Sequence, residues 1–295
     1  SKPVLFLTHT TAGVAALKQR LRKYKVANQN YVVTTIDGWA LRVAHTFSAS
    51  CPIRFPADSP KLFYPEMRQV VSSFVASGAL NKILKASYSR LYVDEYQDCN
   101  IDQHKLILSL SNQLPTVVFG DPMQCIFDFS GAMPDWVLEV EQQFPVLGTL
   151  NTPWRWNNAL SPLLGQWILH ARDTLMSGNK VDLMSCPQHI FWHPLSGDYQ
   201  TDRSDNYKAE RTLLEHYPND SLLVIGASMD EQSRHSYAQG NPRIDVIEQV
   251  QLGGVTAAAQ DFDEKKGKLL ADAILDHVSR MITNVDSEVM KRRVD

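Results

Sequence analysis

The feature that most constrains this chain is a rhythm in its first half. Short apolar runs of strand length alternate with stretches of helix length. Val4–Thr8 is apolar and too short for a helix, and Ala12–Lys25 follows with Val14, Leu17 and Leu21 at helical spacing and basic residues between them. Tyr31–Thr34 is β-branched and strand-like. Asp37–Phe47 reads as a helix with Asp37 near its start, where a short acidic side chain can cap free N–H groups. Cys51–Pro60 is a proline-rich loop, and Glu66–Ala86 is a helical region broken near Gly78. Leu91–Val93 and Thr116–Phe119 are two more strands, with a helix over Asp102–Leu114 between them. Runs that are apolar throughout, rather than alternating, suit a parallel sheet with helices on its faces. The expectation is therefore an α/β fold whose ligands bind outside the carboxyl ends of the strands.

A second region begins around Asn151. It reads as a helix over Leu160–Leu175, a strand at Ile190-Phe191-Trp192, a polar loop over Gly197–Asn206 and a buried strand over Leu222–Gly226. An amphipathic helix over Lys266–Ile282 follows, with Leu269, Leu270, Ile274 and Val278 on one face. The charged end Met290–Asp295 is expected to fray. A length of 295 residues accommodates this division into residues 1–150 and 151–295. With 44% hydrophobic and 21% charged residues, a core of useful size is available. The net charge of -3 excludes a molecule-wide basic surface, so any nucleic-acid contact must be local. No apolar run is long enough to span a bilayer, and no signal-peptide pattern opens the chain. Cys51, Cys99, Cys125 and Cys186 form no metal-binding spacing, which fits free thiols in a cytoplasmic protein.

The residues with the clearest chemical content are Leu91-Tyr92-Val93-Asp94-Glu95-Tyr96-Gln97-Asp98. An apolar strand delivers two adjacent carboxylates at its carboxyl end. In phosphoryl transfer one carboxylate holds Mg2+, and its neighbour orients and deprotonates the attacking water. A bare Asp-Glu pair after a strand is more often a solvated turn. The longer string is far more specific.

That string resembles the Asp-Glu-x-Gln-Asp motif of UvrD/Rep-like superfamily 1 helicases. Val118-Phe119-Gly120-Asp121-Pro122-Met123-Gln124, continuing through Phe127, Phe129 and Gly131-Ala132, resembles the next motif of that family, with Ser130 where Arg is common. Leu7-Thr8-His9-Thr10 and Thr35-Ile36-Asp37-Gly38-Trp39 resemble two earlier motifs, with departures at His9, Thr11, Ala12 and Asp37. Asn151-Thr152-Pro153-Trp154-Arg155 resembles a later one. The resemblance implies a RecA-like motor domain over residues 1–150 and part of a second motor domain, with helical additions, over 151–295. It implies ATP and Mg2+ as cofactors and single-stranded DNA as partner, with 3′-to-5′ movement. By the same resemblance Asp94 holds the metal, Glu95 is the base, Gln124 senses the terminal phosphate and Arg155 reaches it from across a cleft. Thr8, Thr10, Thr35, Trp39, Phe127 and Phe129 are the implied DNA contacts.

No Gly-x-x-x-x-Gly-Lys-Ser/Thr loop occurs in the chain, and no Lys-Gly-Leu-Glu-like or Thr-Arg-Ala-like block. In the family the phosphate loop lies just upstream of the first threonine motif. The chain is therefore expected to be a fragment, inactive by itself in ATP hydrolysis. Two rival readings remain open. One is a degenerate helicase that grips DNA or a protein without hydrolysis. The other is a helicase-like subunit that works with a nuclease partner in repair or phage defence. Asp-Glu-Tyr-Gln-Asp followed by His104 is similar to the helicase subunit of the Gabija system.

Overall fold

The computed structural model describes residues 2–125, 131–187, 190, 192, 194–219, 222–225, 231–239 and 252–281. Among the described residues four strands form one parallel sheet: β1 (Val4–Thr8), β2 (Tyr31–Thr35), β3 (Arg90–Val93) and β4 (Thr116–Val118), in the order β2-β1-β3-β4. β1 pairs with β2 in the register Thr8↔Thr35, and with β3 in the register Leu7↔Val93. The chain leaves β1 to form a strand on one side, then returns to place β3 on the other. That reversal puts a crevice outside the carboxyl ends of β1 and β3, the switch point at which sheets of this type bind ligands.

Helix α1 (Thr11–Lys23) connects β1 to β2. Helices α2 (Ile36–Thr46), α3 (Pro60–Ala76) and α4 (Asn81–Ser87) connect β2 to β3, and α5 (Ile101–Ser111) connects β3 to β4. Phe63, Met67, Val71 and Val75 recur every fourth residue along α3 and are all buried. They join Leu106, Ile107 and Leu110 of α5 and Leu5, Leu7, Leu91 and Val93 of the sheet in one core. Each such side chain contributes roughly 1.5–3 kcal/mol by leaving water. Asn100 starts α5 with a reciprocal cap: its side chain accepts from Gln103 N–H at 3.1 Å, and the Gln103 side chain accepts from Asn100 N–H at 3.2 Å. By contrast α1 has no buried residue and contributes nothing to this core. Phe6, Tyr92 and Phe119 form an edge-to-face row with centroid spacings of 5.2 and 5.9 Å, outside that core, and Phe119 is 44% exposed.

The chain divides into two compact units, Ser1–Trp192 and His193–Asp295. A π-helical turn at Trp136–Val140 running into α6 (Glu141–Gln143), and helices α7 (Trp154–Asn158) and α8 (Pro162–Met176), belong to the first. By packing, then, the segment after Asn151 is grouped with the sheet as far as Trp192. The described part of the second unit consists of α9 (Tyr199–His216), α10 (Glu231–Gln239), α11 (Leu252–Glu264) and α12 (Lys268–Met281). Tyr207 stacks on Tyr237 at 6.1 Å, and His277 meets Asp261 at 2.9 Å between α12 and α11.

Three local expectations change. Gly197–Asn206 is not a loop. Asp198 caps α9 by accepting from Thr201 N–H at 2.8 Å, and exposed pairs such as Arg211–Glu215 line a helix with little apolar periodicity. Leu222–Ile225 is irregular and exposed rather than a buried strand, with Ile225 at 87%. Ile190 and Trp192 are also irregular, while Phe191 and Gly226 lie outside the described residues, as do Val278 (as a side chain), Ile282 and Met290–Asp295.

Candidate functional site

The switch point holds a cavity of about 330 Å³. Thr8, His9 and Thr10 line it from the end of β1, and Gly13, Ala16, Leu17 and Arg20 from one face of α1. Asp94, Glu95, Gln97 and Asp98 enter from the end of β3, and Gln124 from beyond β4. Five expected site residues therefore meet in one place: Thr8, Thr10, Asp94, Glu95 and Gln124. Phe127 and Phe129 lie outside the described residues. Arg155 is exposed on α7 and does not line this cavity.

The local backbone explains how the carboxylates are presented. Asp94 N–H donates to Leu7 O at 2.9 Å, which extends the β1–β3 pairing one residue past the strand. Glu95 then turns left-handed, at φ 55° and ψ 46°. A non-glycine residue in that region is held there by its surroundings. On one side of it Tyr96 is fully buried, with its N–H on Phe119 O at 2.8 Å and its hydroxyl 2.8 Å from His104 Nδ1. On the other, Gln97 is 6% exposed and both ends of its amide are used. Its Nε2 donates to Glu95 Oε2 at 2.7 Å, and its Oε1 accepts from Asp121 N–H at 2.9 Å. Gly120 makes that approach possible, since a Cβ there would lie 2.6 Å from the Trp136 ring and 3.1 Å from Gln97 Oε1.

Burial, with the charge of Glu95 added, raises the Asp94 carboxyl above the usual carboxylate range; Arg20 offsets part of this. The same two causes raise Asp98, whose Oδ1 is buried with no hydrogen-bond partner. Burial pulls His9 down to about 4, so it is a neutral imidazole at pH 7. It faces the thiol of Cys99 at 3.3 Å, and burial keeps that thiol protonated. Burial by itself would raise Asp121, but hydrogen bonds from Arg172, Gln124 (2.7 Å) and Met123 N–H (3.0 Å) hold it below the usual range. Arg172, from α8, makes an ion pair with the same Asp121 oxygen that Gln124 uses.

These oxygens suit a hard divalent cation. Among the described residues no three His, Cys, Asp or Glu side chains converge on one point.

Thr10 and Thr35 cap α1 and α2, accepting from Gly13 N–H at 3.0 Å and Gly38 N–H at 2.9 Å. They set the two helix starts side by side at the carboxyl ends of β1 and β2. Asp37, read as a cap, instead makes a two-pronged ion pair with Arg68 at 2.7 and 2.6 Å. Trp39 is corrected outright: it is 2% exposed and packed in the core, so its ring offers no face to a base. Sequence reasoning assigned no role to Arg20, Gln97, Asp121 or Arg172. Arg20 was accessible to it, because Gly13, Ala16 or Leu17, and Arg20 fall on one helical face. It also sits in a run with a distinct charge: residues 1–36 contain six Lys or Arg and no Asp or Glu. Arg172 had no such signal, since its partner lies 51 residues away.

Residues 64–145 match the UvrD/REP helicase N-terminal domain. The matched window runs from α3 to α6 and contains β3, Asp94–Asp98, β4 and Gln124. This stretch of the chain is thus similar to part of a helicase domain of the UvrD/REP type. Over 52 residues it is 40% identical to Gabija protein GajB of Bacillus cereus (strain VD045), a stretch that covers 17% of this chain and 10% of that protein. Among the described residues no helix is long and apolar enough to cross a membrane.

Proposed function

We propose that this chain is the carboxylate-bearing part of an ATP-hydrolysing motor that moves along single-stranded DNA in the cytoplasm. The observation that carries the reading is a single cavity, at the switch point of the sheet, that brings Asp94, Glu95 and Gln124 together. Asp94 would hold Mg2+, with Asp98 beside it. When bound, the metal neutralises and aligns the phosphate oxygens. Glu95 stands exposed at the cavity and takes the proton from the water that attacks the terminal phosphorus as the bond to ADP breaks. Gln124 lines the same space and is placed to meet the terminal phosphate. Arg155 is assigned to spreading charge in the transition state, which it would reach only as α7 approaches the cavity.

DNA engagement falls to the helix starts at Thr10 and Thr35 and to the acid-free basic stretch over α1. N-terminal N–H groups and exposed cations hold phosphates without reading sequence. This local positive surface reconciles nucleic-acid binding with a net charge of -3. The 40% stretch shared with Gabija protein GajB favours a second reading, a helicase-like subunit acting beside a nuclease partner in phage defence. The experiment is Glu95→Gln in the intact protein, with ATP affinity and DNA-stimulated phosphate release measured. Hydrolysis is expected to fall by about 10²–10⁴-fold with ATP binding retained. Hydrolysis at the parent rate would mean that the carboxylate pair is only a solvated turn.

A further inference from the structure

Gln97 is an uncommon use of a buried polar side chain. A primary amide offers a carbonyl and an NH2, and leaving either unpaired in the interior is costly. Here the carbonyl is spent on the β4 loop, at Asp121 N–H, and the NH2 on the Glu95 carboxylate, at 2.9 and 2.7 Å. The contact continues beyond Asp121. Its carboxylate takes Gln124 Nε2, Met123 N–H and the Arg172 guanidinium. One unbroken line of hydrogen bonds therefore runs from Glu95 through Gln97 and Asp121 to Arg172 on α8.

Two features make this line a built one. Gly120 is the one residue type that lets the β4 loop approach Gln97 and Trp136 this closely. Glu95 is left-handed, so its side-chain direction depends on what grips it from outside its own backbone preference. Gln97 is that grip.

We infer that Gln97 is a positioning residue that aims the Glu95 carboxylate, and that the Asp121–Arg172 ion pair anchors this aim to helix α8. α8 follows directly on α7, which carries Arg155. Any shift of α8 that parts Arg172 from Asp121 frees the β4 loop, loosens Gln97 and releases Glu95. Movement of the Arg155-bearing segment is in this way mechanically tied to the orientation of the base. The inference rests on Glu95 as the base in the proposed reaction, but the line of bonds itself does not.

The test separates the two. Arg172→Met keeps bulk at a half-exposed position and leaves the core untouched, whereas Gln97→Leu breaks the line at its centre. Side-chain amide resonances of Gln97 are followed by NMR for solvent exchange in the parent, Arg172→Met and Arg172→Lys. The parent amide is expected to exchange slowly. Arg172→Met is expected to speed it about tenfold or more, and Arg172→Lys to restore part of the protection. In parallel, kcat and KM for ATP are measured in the intact protein. Gln97→Leu and Arg172→Met are expected to lower kcat, the former by roughly 10- to 100-fold, with KM little changed. The double variant is expected to be no worse than Gln97→Leu alone, because both cut one line. Unchanged Gln97 exchange in Arg172→Met overturns the inference whatever the kinetics. If the parent hydrolyses no ATP, the proposed function falls, and the exchange measurement still decides the line of bonds.

Discussion

His9 gives the structure a measurable acid weakness. A histidine ordinarily titrates near 6.5, and burial in the floor of the cavity pulls His9 to about 4. The folded chain therefore holds it neutral where the unfolded chain would protonate it. Protons bind the unfolded state in excess between those two values, so stability is full above about 6.5 and is lost as pH falls toward 4. Over that whole interval the loss from this one residue is on the order of 3 kcal/mol. His104, lowered by burial and held against the Tyr96 hydroxyl, adds in the same direction. Asp94 and Asp98, which are raised, act in the opposite direction, because the folded chain takes up their protons first as pH falls. The contribution of His9 is isolated by His9→Gln, which cannot ionise. Urea unfolding of parent and variant is followed by tryptophan fluorescence at several pH values between 7 and 4.5. The parent is expected to lose more stability than the variant, by up to roughly 1.4 kcal/mol per pH unit near the middle of the interval. Parallel curves would refute the burial of His9 as its controlling feature.

Three further outcomes follow from packing. Trp39→Ala is expected to cost about 3–5 kcal/mol in chemical denaturation, the range for an aromatic removed from a core; a folded variant of parent stability that has lost DNA affinity would reverse its reassignment. Tyr96→Phe removes the hydroxyl that meets His104 and is expected to cost about 1–3 kcal/mol, read from the shift in urea midpoint. Gly120→Ala would set a methyl 2.6 Å from the Trp136 ring, and is expected to cost roughly 1–3 kcal/mol and perturb tryptophan fluorescence. An unchanged melting temperature would show that the β4 loop has room to spare.

The sheet was legible because its strands are short, mainly apolar and separated by helices with strong punctuation. Gly78 ends one helix at φ 81°, and Asn100 with Gln103 starts another. The carboxylate pair was legible because the strand before it delivers it to the carboxyl edge of the sheet, whereas the contacts from Gln97 and the β4 loop that orient Glu95 were not. Trp39 was misread for a definable reason. An aromatic in a motif looks the same whether its helix turns it outward or inward, and the burial of Ile36, Ala40 and Ala44 beside it turns α2 inward there. α9 was missed because its stability rests on a cap and charge pairs rather than on an apolar stripe. The Asp121–Arg172 pair was beyond reach altogether, because no local rule links two residues 51 positions apart.

Glu95 carries one more consequence. Glycine would adopt its left-handed backbone freely, whereas a residue with a Cβ gives up about 1–2 kcal/mol to stand there. The carboxylate and the backbone are thus in competition at a single position. Replacement of Glu95 by glycine would relieve that strain, so on the reading proposed above the substitution that makes the chain sturdier also removes its base. Restoring the acid would mean accepting the strain again.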